Sequence, residues 1–225
     1  MIEQIESSNG WLIHQYPIRD HLLLLYFLTP TGLMKAFYRL PKSKSSNKPQ
    51  AFYPYWVAWK TSKDALNIHS IELHAQPLQL QGLKLFVGMY LNELIFQICR
   101  HQEISEQSYQ LYEELLYDKQ DCNQSLLRQF EWQLLADCGY YLDFSHTCYQ
   151  EEIQEDRHYQ FDPAIGFSEA ADGIEGRHLL AILDSNCQDI KASQVFKKTL
   201  RMTIDFVLDG RVLHSRKLLR DWLTP

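Results

Sequence analysis

LLRQFEWQLLADCGYYLDFSHTC, residues 126–148, contains a helical pattern that ends at a single glycine. Leu127, Phe130 and Leu134 are spaced three and four residues apart, which is the spacing of one apolar helix face. Gly139 follows where a helix C-cap is expected, because glycine readily adopts the left-handed backbone that ends many helices. The sequence therefore predicts a helix over 125–138 that runs into an aromatic turn.

The same helical spacing continues toward the N-terminus. Apolar residues from Leu83 to Ile98 follow it, and a second helical run covers 104–117. Pro77–Gln81 comes before the first of these helices and carries no regular pattern. We therefore expect a domain boundary there, with one domain over 1–80 and a helical domain over 81–225.

The residues before this boundary favour β structure. Short runs rich in aromatic and apolar residues alternate with turn residues, and they cover 11–16, 21–29, 33–38, 51–59 and 65–75. Five such strands suit a small barrel, and a five-stranded Greek-key barrel is the oligonucleotide-binding (OB) fold. An SH3-like barrel or a small sandwich would give nearly the same spacing. Strand count alone does not separate these alternatives.

After Cys148 the chain becomes polar and acidic before regular patterns resume. Residues 159–167 predict a small hairpin, and 192–208 and 215–223 predict helices. The predicted fold class is therefore α+β: an N-terminal five-stranded OB-fold barrel, then a C-terminal α-helical domain with a small β-hairpin excursion.

Charge is distributed unevenly along the chain, whose net charge is −6. Residues 1–80 hold eight Lys and Arg against five Asp and Glu, whereas 81–225 hold fourteen against twenty-three. Phosphate favours basic surfaces. A nucleic-acid contact is therefore expected to begin in the N-terminal third.

A basic segment lies between the third and fourth predicted strands. Residues 39–48 contain four basic residues and no acid, and aromatic residues flank them. Proteins that bind single strands combine cations that follow the backbone with rings on which bases stack. The alternative is a solvated loop beside aromatic residues that fill the barrel core. Our predicted DNA-binding residues are Lys35, Arg39, Lys42, Lys44, Lys48 and Tyr53.

Motifs for catalysis are absent from the sequence. It contains no GxxxxGK[ST] loop, HExxH helix, GxSxG elbow or dinucleotide fingerprint. A structural zinc site needs four Cys or His ligands, usually in two close pairs, and Cys148 has no cysteine in the four residues after it. We expect no catalytic residue, no metal and no cofactor. A thiol- or metal-dependent hydrolase would require Cys99, His101, His146 and Cys148 to converge.

Cysteine usage and hydropathy bear on location. The five cysteines lack close pairing in sequence, which favours free thiols in a reducing compartment. The apolar run at 22–28 is far shorter than the ~20 residues that span a bilayer. Residues 1–10 carry two glutamates and no basic residue, unlike a signal peptide. A cytoplasmic protein without a membrane segment is expected.

Several short motifs resemble, in order, those of the RecO family of bacterial recombination mediators. They are GMYLNEL at 88–94, LRQFEWQLL at 127–135, GYYLDF at 139–144, Phe161 with Gly166 and Phe167, and LHSRKLL at 213–219. The resemblance implies an OB-fold domain followed by a helical domain. It also implies a non-enzymatic protein, a monomer when free, that works in the cytoplasm at the nucleoid.

The resemblance further implies a set of partners. RecO proteins bind single- and double-stranded DNA, anneal complementary strands and, with RecR, help to load the recombinase RecA onto DNA coated by single-strand-binding protein. They engage the acidic, hydrophobic C-terminal tail of that coat protein. Such a tail requires a cation beside an apolar pocket. The residues that we predict for this contact are Leu127, Arg128, Phe130, Lys197, Lys198 and Arg201.

Two alternatives to this partner site remain open from the sequence. The basic residues could form ordinary solvated helix faces. The protein could also be an adaptor that joins proteins and hardly contacts DNA, which would suit its acidic C-terminal region.

Overall fold

The structure is a computed structural model that describes residues 5–41, 48–62, 65–99, 102–184 and 189–223. The chain divides into two compact units. Unit 1 contains Met1–Leu127 and Leu213–Pro225, and unit 2 contains Arg128–Val212. These packing units do not follow the domain boundary predicted at 77–81. That boundary between functional domains stays a prediction.

Five strands close into a barrel in unit 1. They are β1 (Ile5–Arg19), β2 (Leu22–Thr29), β3 (Gly32–Arg39), β4 (Pro54–Ser62) and β5 (Ala65–Leu73). Their order is β1-β2-β3-β5-β4, with β4 pairing back onto β1, and β3 and β5 run parallel. The predicted OB-fold barrel and the α+β class are confirmed.

The barrel interior is apolar, as the alternation along its strands requires. Leu25, Phe27 and Val57 are fully buried in it, and Tyr38, Tyr53 and Trp59 pack partly buried against this core. β1 pairs with β2 across two register shifts, at 12–14 and at 17–19. Such bulges increase the local bend and twist that a closed barrel needs.

Two helices cover one side of the barrel within unit 1. They are α1 (Gly82–Cys99) and α2 (Glu106–Tyr117), and both were predicted. The indole of Trp11 on β1 is 1% exposed, contacts the ring of Tyr112 and donates from Nε1 to Glu113 at 3.0 Å. The barrel therefore shares its packing with α1 and α2.

By length and mean hydropathy (1.2), α1 could cross a membrane, and it is the one such helix among the described residues. Packing against protein explains its apolar character. Leu91, Leu94 and Ile95 are fully buried, and the Phe96 ring stacks on His14 of β1. A core helix passes the same test of length and composition.

Helix α3 (Gln124–Asp137) begins in unit 1 and continues into unit 2. Its bounds confirm the predicted helix, and Gly139 follows with φ +86°. Unit 1 also contains the last helix, α6 (His214–Leu223), which packs against α1.

Unit 2 combines a small sheet with two further helices. Its strands are β6 (His158–Asp162), β7 (Gly166–Ala170) and β8 (Ile174–Glu175), and its helices are α4 (Gly176–Ile182) and α5 (Ile190–Leu208). β6 and β7 form the predicted hairpin, and β8 adds a third strand. The sequence pattern missed β8 and α4, because two and seven residues are too few to show a period.

Candidate nucleic-acid interface

Alternate residues of β3 point out of the barrel and combine cations with a ring. Met34 and Ala36 are buried in the barrel core, and Tyr38 packs against it. The intervening residues Lys35, Phe37 and Arg39 therefore lie on the outer surface. Lys35 and Arg39 are exposed and Phe37 is partly exposed. This spacing places a partly exposed aromatic ring between two cations.

The sheet register extends this surface across neighbouring strands. Phe37 pairs with Leu24 on β2, and Leu24 pairs with Tyr16 on β1. In the next row, Arg39 pairs with Leu22, which pairs with Arg19. We call this surface the outer barrel face, and it comprises Tyr16, Arg19, Leu22, Leu24, Lys35, Phe37 and Arg39.

Rings from two strands and a helix support one end of this face. The His14 ring stacks on Phe96 at 4.0 Å and meets Tyr16 edge-on at 4.4 Å. Tyr26, which pairs with Lys35, contacts Phe96 at 5.1 Å. Burial lowers the pKa of His14, so this imidazole is neutral at neutral pH. Positive charge at the face comes from its Lys and Arg residues.

The structure brings together some of the predicted DNA-binding residues. Lys35 and Arg39 share β3, whereas Lys48 and Tyr53 lie in the segment that leads into β4. Lys48 is exposed, and Tyr53 packs partly buried against the barrel core. Lys42 and Lys44 lie outside the described residues.

Sequence reasoning missed Tyr16, Arg19 and Leu24 as members of this face. Their strands were predicted, but membership depends on which residues pair across the sheet. The register shift before Arg19 also breaks the alternation on which a prediction from one strand would rest.

The residues predicted for partner binding on α3 are mostly buried. Leu127 is 5% exposed and Phe130 is fully buried. The guanidinium of Arg128, whose side chain is 14% exposed, donates to Glu131, which is 1% exposed. The helical pattern correctly identified a buried face, and these side chains present little surface to a partner.

The predicted cations on α5 are accessible. Lys197, Lys198 and Arg201 are exposed, and Arg201 lies 3.8 Å from Asp205. Phe206, five residues further and on a different side of α5, is 46% exposed and its ring contacts Tyr140 edge-on at 6.4 Å. We call the three cations Lys197, Lys198 and Arg201 the α5 surface.

Metal and thiol chemistry find little support among the described residues. In that part of the chain, no three His, Cys, Asp or Glu side chains converge as metal ligands. His146 Nδ1 instead lies 3.0 Å from Asp143 Oδ2, and His101 falls outside the described residues. The absence of a metal remains a prediction.

The cysteines differ in part from expectation. Among the described cysteines, Cys122 and Cys148 form no disulfide. Cys99 and Cys138 are both disulfide-bonded, so the prediction of free thiols is wrong for these two. Spacing in sequence gives no signal for this. A bonded Cys99 also offers no thiol for hydrolysis.

Comparison with known proteins identifies the family. The family model described as "Recombination protein O C terminal" matches residues 79–220. DNA repair protein RecO of Legionella pneumophila (strain Paris) is 34% identical over 224 residues, with 95% of this chain and 97% of that protein covered. The Cellvibrio japonicus protein of the same name is 33% identical, with 96% and 97% covered. The Coxiella burnetii (strain RSA 493) protein is 28% identical, with 97% and 100% covered. Similarity over nearly the whole length shows that the chain belongs to the RecO family of DNA repair proteins.

Proposed function

We propose that this DNA repair protein is a non-enzymatic recombination mediator. It binds and anneals DNA, engages single-strand-binding protein and RecR, and promotes loading of RecA in recombinational repair of the RecF pathway. Family membership supports this role. The structural observation on which the proposal depends is the outer barrel face. The proposed protein needs no cofactor, is a monomer when free and acts in the cytoplasm at the nucleoid.

The outer barrel face suits a single strand because it combines both elements of such a site. Lys35, Arg39 and Arg19 are exposed cations that can contact phosphates. The rings of Phe37 and Tyr16 lie between them in the register and can stack on bases. No base-specific pattern is needed, since stacking tolerates every base. Binding to double strands would use the same cations on the phosphate backbone.

Salt-dependent binding tests this face directly. Affinity for a labelled single-stranded oligonucleotide is measured by fluorescence anisotropy between low and moderate salt. Each phosphate contact contributes about −0.7 to the slope of log K against log[salt], so Lys35→Gln with Arg39→Gln should flatten it by roughly 1.4. Phe37→Ala should weaken binding by loss of stacking worth ~1–3 kcal/mol per base. Lys119→Gln, also exposed in unit 1, is the control.

An annealing assay separates a mediator from an adaptor. Complementary oligonucleotides, bare or coated with single-strand-binding protein, are mixed with the wild-type protein and with the Lys35/Arg39 variant. A mediator accelerates annealing in both forms, and the variant loses this effect on bare DNA. An adaptor would leave bare strands unaffected. The acidic segment 150–175, with eight Asp and Glu and one Arg, is the observation that favours an adaptor.

The α5 surface is the better-placed candidate for the acidic tail of single-strand-binding protein. It offers accessible cations, whereas Leu127 and Phe130 are buried. Lys198→Glu with Arg201→Glu should abolish binding of a tail peptide in titration calorimetry. Lys217→Glu, an exposed lysine of α6, should bind as the wild type does. Unchanged affinity of the double variant would exclude this surface.

Arg128 requires a different experiment from a simple truncation. Because Arg128 donates to the buried carboxylate of Glu131, Arg128→Ala would remove a charge partner of that group and destabilise unit 2. Loss of tail binding in Arg128→Ala therefore identifies a contact only if the variant stays folded. Arg128→Lys keeps the charge while losing the planar guanidinium, so it is the cleaner variant.

A further inference from the structure

The segment that leads into β4 is held from several sides of unit 1. Gln15 Nε2 on β1 donates to the carbonyl of Pro49 at 3.4 Å. The amide of Gln50 donates to the Tyr55 hydroxyl at 2.8 Å, and the amide of Leu78 donates to the carbonyl of Phe52 at 3.2 Å. These bonds tie residues 49–52 to β1, to β4 and to the chain that precedes α1.

Phe52 adopts a backbone conformation that a bulky residue rarely takes. Its φ is +64°, in the left-handed region that favours glycine. Such strain persists only where the surroundings enforce it, and it is often found at functional sites. Here the ring of Phe52 packs against Gly88 in the middle of α1.

Gly88 provides the space that this ring occupies. A Cβ at position 88 would lie 2.9 Å from Phe52 Cε1 and 2.9 Å from Leu80 Cδ1, closer than real contacts allow. Glycine is unfavourable inside a helix, so its presence here calls for a packing reason. The seat for the Phe52 ring is that reason.

We propose that Gly88 and Phe52 are positioning residues for nucleic-acid binding. The inference rests on the proposed function. Seating the Phe52 ring on Gly88 holds Tyr53 against the barrel. It also holds Pro49 at the Gln15 side chain of β1, so that the exposed Lys48, one of the predicted DNA-binding residues, has a fixed attachment to the barrel. α1 thereby sets the position of a cation that it does not itself carry.

The test compares the same substitution at two glycines of α1. Gly88→Ala should weaken single-strand binding about three- to tenfold at low salt and reduce the salt slope by about 0.7, the loss of one phosphate contact. Gly82→Ala is the control, because a Cβ there meets nothing within 4 Å. The strain of its φ of +54° falls on the first residue of α1, away from Phe52. Gly82→Ala should bind with the wild-type slope.

Two further variants keep the test valid if Gly88→Ala fails to fold. Phe52→Gly suits the left-handed backbone but removes the ring, and it should show the same loss of slope. Phe52→Leu combined with Gly88→Ala removes the ring atoms that the new Cβ would meet and leaves only Leu80 Cδ1, the end of a flexible side chain, so it should recover part of the affinity. Wild-type slopes in both Gly88→Ala and Phe52→Gly would overturn the inference. Absence of binding by the wild-type protein would instead overturn the proposed function.

Discussion

Asn92 lies at the centre of a buried polar network whose members come from three elements. Its Oδ1 accepts from the Tyr112 hydroxyl of α2 at 2.6 Å, and its Nδ2 donates to the carbonyl of Leu12 on β1 at 3.3 Å. Asn92 is 7% exposed and Tyr112 is fully buried. Burial raises the pKa of Tyr112, so its hydroxyl is a permanent donor. One amide thus connects two helices with the barrel.

Tyr112→Phe tests how much this network contributes to the free energy of unfolding. The substitution leaves Asn92 Oδ1 buried without the donor that now satisfies it, and we expect a loss of ~1–3 kcal/mol in the free energy of unfolding. Urea unfolding measures this loss. Tyr117→Phe, at a ring that is 53% exposed on the same helix, is the control and should lie near the wild type. Equal midpoints for the two variants would show that the network contributes little.

At the scale of elements, the carboxylate of Glu93 on α1 binds the N-terminus of α6. Glu93 accepts from the amides of His214 and Ser215 at 2.7 and 2.8 Å, and from the Ser215 hydroxyl at 2.6 Å. The first amides of a helix have no partner within it, and a carboxylate there also interacts favourably with the helix dipole. The Arg216 guanidinium lies 5.5 Å from the Tyr90 ring of α1 and adds a cation–π contact.

Glu93→Ala should therefore loosen α6. We expect a loss of about 1–2 kcal/mol, the usual effect of removing a cap, together with faster amide exchange over 214–223. Hydrogen exchange read out by mass spectrometry checks this element directly. Glu114→Ala removes an exposed glutamate from α2 and should leave α6 unchanged. Wild-type protection of α6 in Glu93→Ala would contradict the role of this carboxylate.

Helices α4 and α5 are joined by a contact between a histidine and an aspartate. His178 Nδ1 lies 2.5 Å from Asp189 Oδ2, and Asp189 also caps α5 by accepting from the amide of Lys191 at 2.8 Å. Glu175 Oε1 is 3.9 Å from His178 Nε2 on the other side of the ring. The hydrogen bond from His178 lowers the pKa of Asp189 below its ordinary 3.8.

The sign of this shift predicts how stability changes with pH. A carboxyl with a lowered pKa in the folded state stabilises the fold above 3.8, and that stabilisation is lost as pH falls through the folded value. Asp189→Asn keeps the oxygen that caps α5 but removes the carboxylate charge. It should therefore lower Tm by a few degrees at pH 7 and by progressively less below pH 4, where the wild-type carboxylate becomes protonated. Thermal unfolding followed from pH 7 to pH 3 tests this. A difference independent of pH would mean that the carboxylate charge is not involved.

At the scale of the whole molecule, charge follows the two packing units. Unit 2 holds eight Lys and Arg against fifteen Asp and Glu, whereas unit 1 holds fourteen against thirteen. The acidic excess of the protein therefore resides in unit 2. Phosphate is repelled by such a surface. The near-neutral balance of unit 1, with Arg19, Lys35 and Arg39 on the outer barrel face, makes unit 1 the better candidate for a nucleic-acid contact in a protein of net charge −6.

The packing of unit 1 predicts that the barrel does not fold well alone. Residues 1–80 without α1 and α2 would expose Trp11 and Tyr26, which are 1% and 5% exposed in the full chain. We expect this fragment to aggregate or to show poor dispersion in NMR spectra. A fragment of residues 1–127, which retains both helices, should give dispersed spectra. A well-folded 1–80 fragment would support the boundary predicted at 77–81.

Much of the architecture could be predicted because its signals are local. The apolar and aromatic runs of β2 and β3 and the spacing of Leu127, Phe130 and Leu134 appear within single elements. The short motifs that resemble the RecO family are also local in sequence, and several residues of GMYLNEL have structural roles. Gly88 seats Phe52, Asn92 joins two helices to the barrel, and Glu93 caps α6.

The candidate site depended on contacts between residues that are far apart in sequence. Sequence by itself predicted the five strands of the barrel, the longer helices and, by resemblance, the family, and it named Lys35 and Arg39 as candidate DNA contacts. Only the tertiary structure decided that Tyr16 and Arg19 share their surface and that Leu127 and Phe130 are buried. The physical reason is that a periodic pattern shows which face of an element is apolar, whereas strand register and helix packing decide what covers that face.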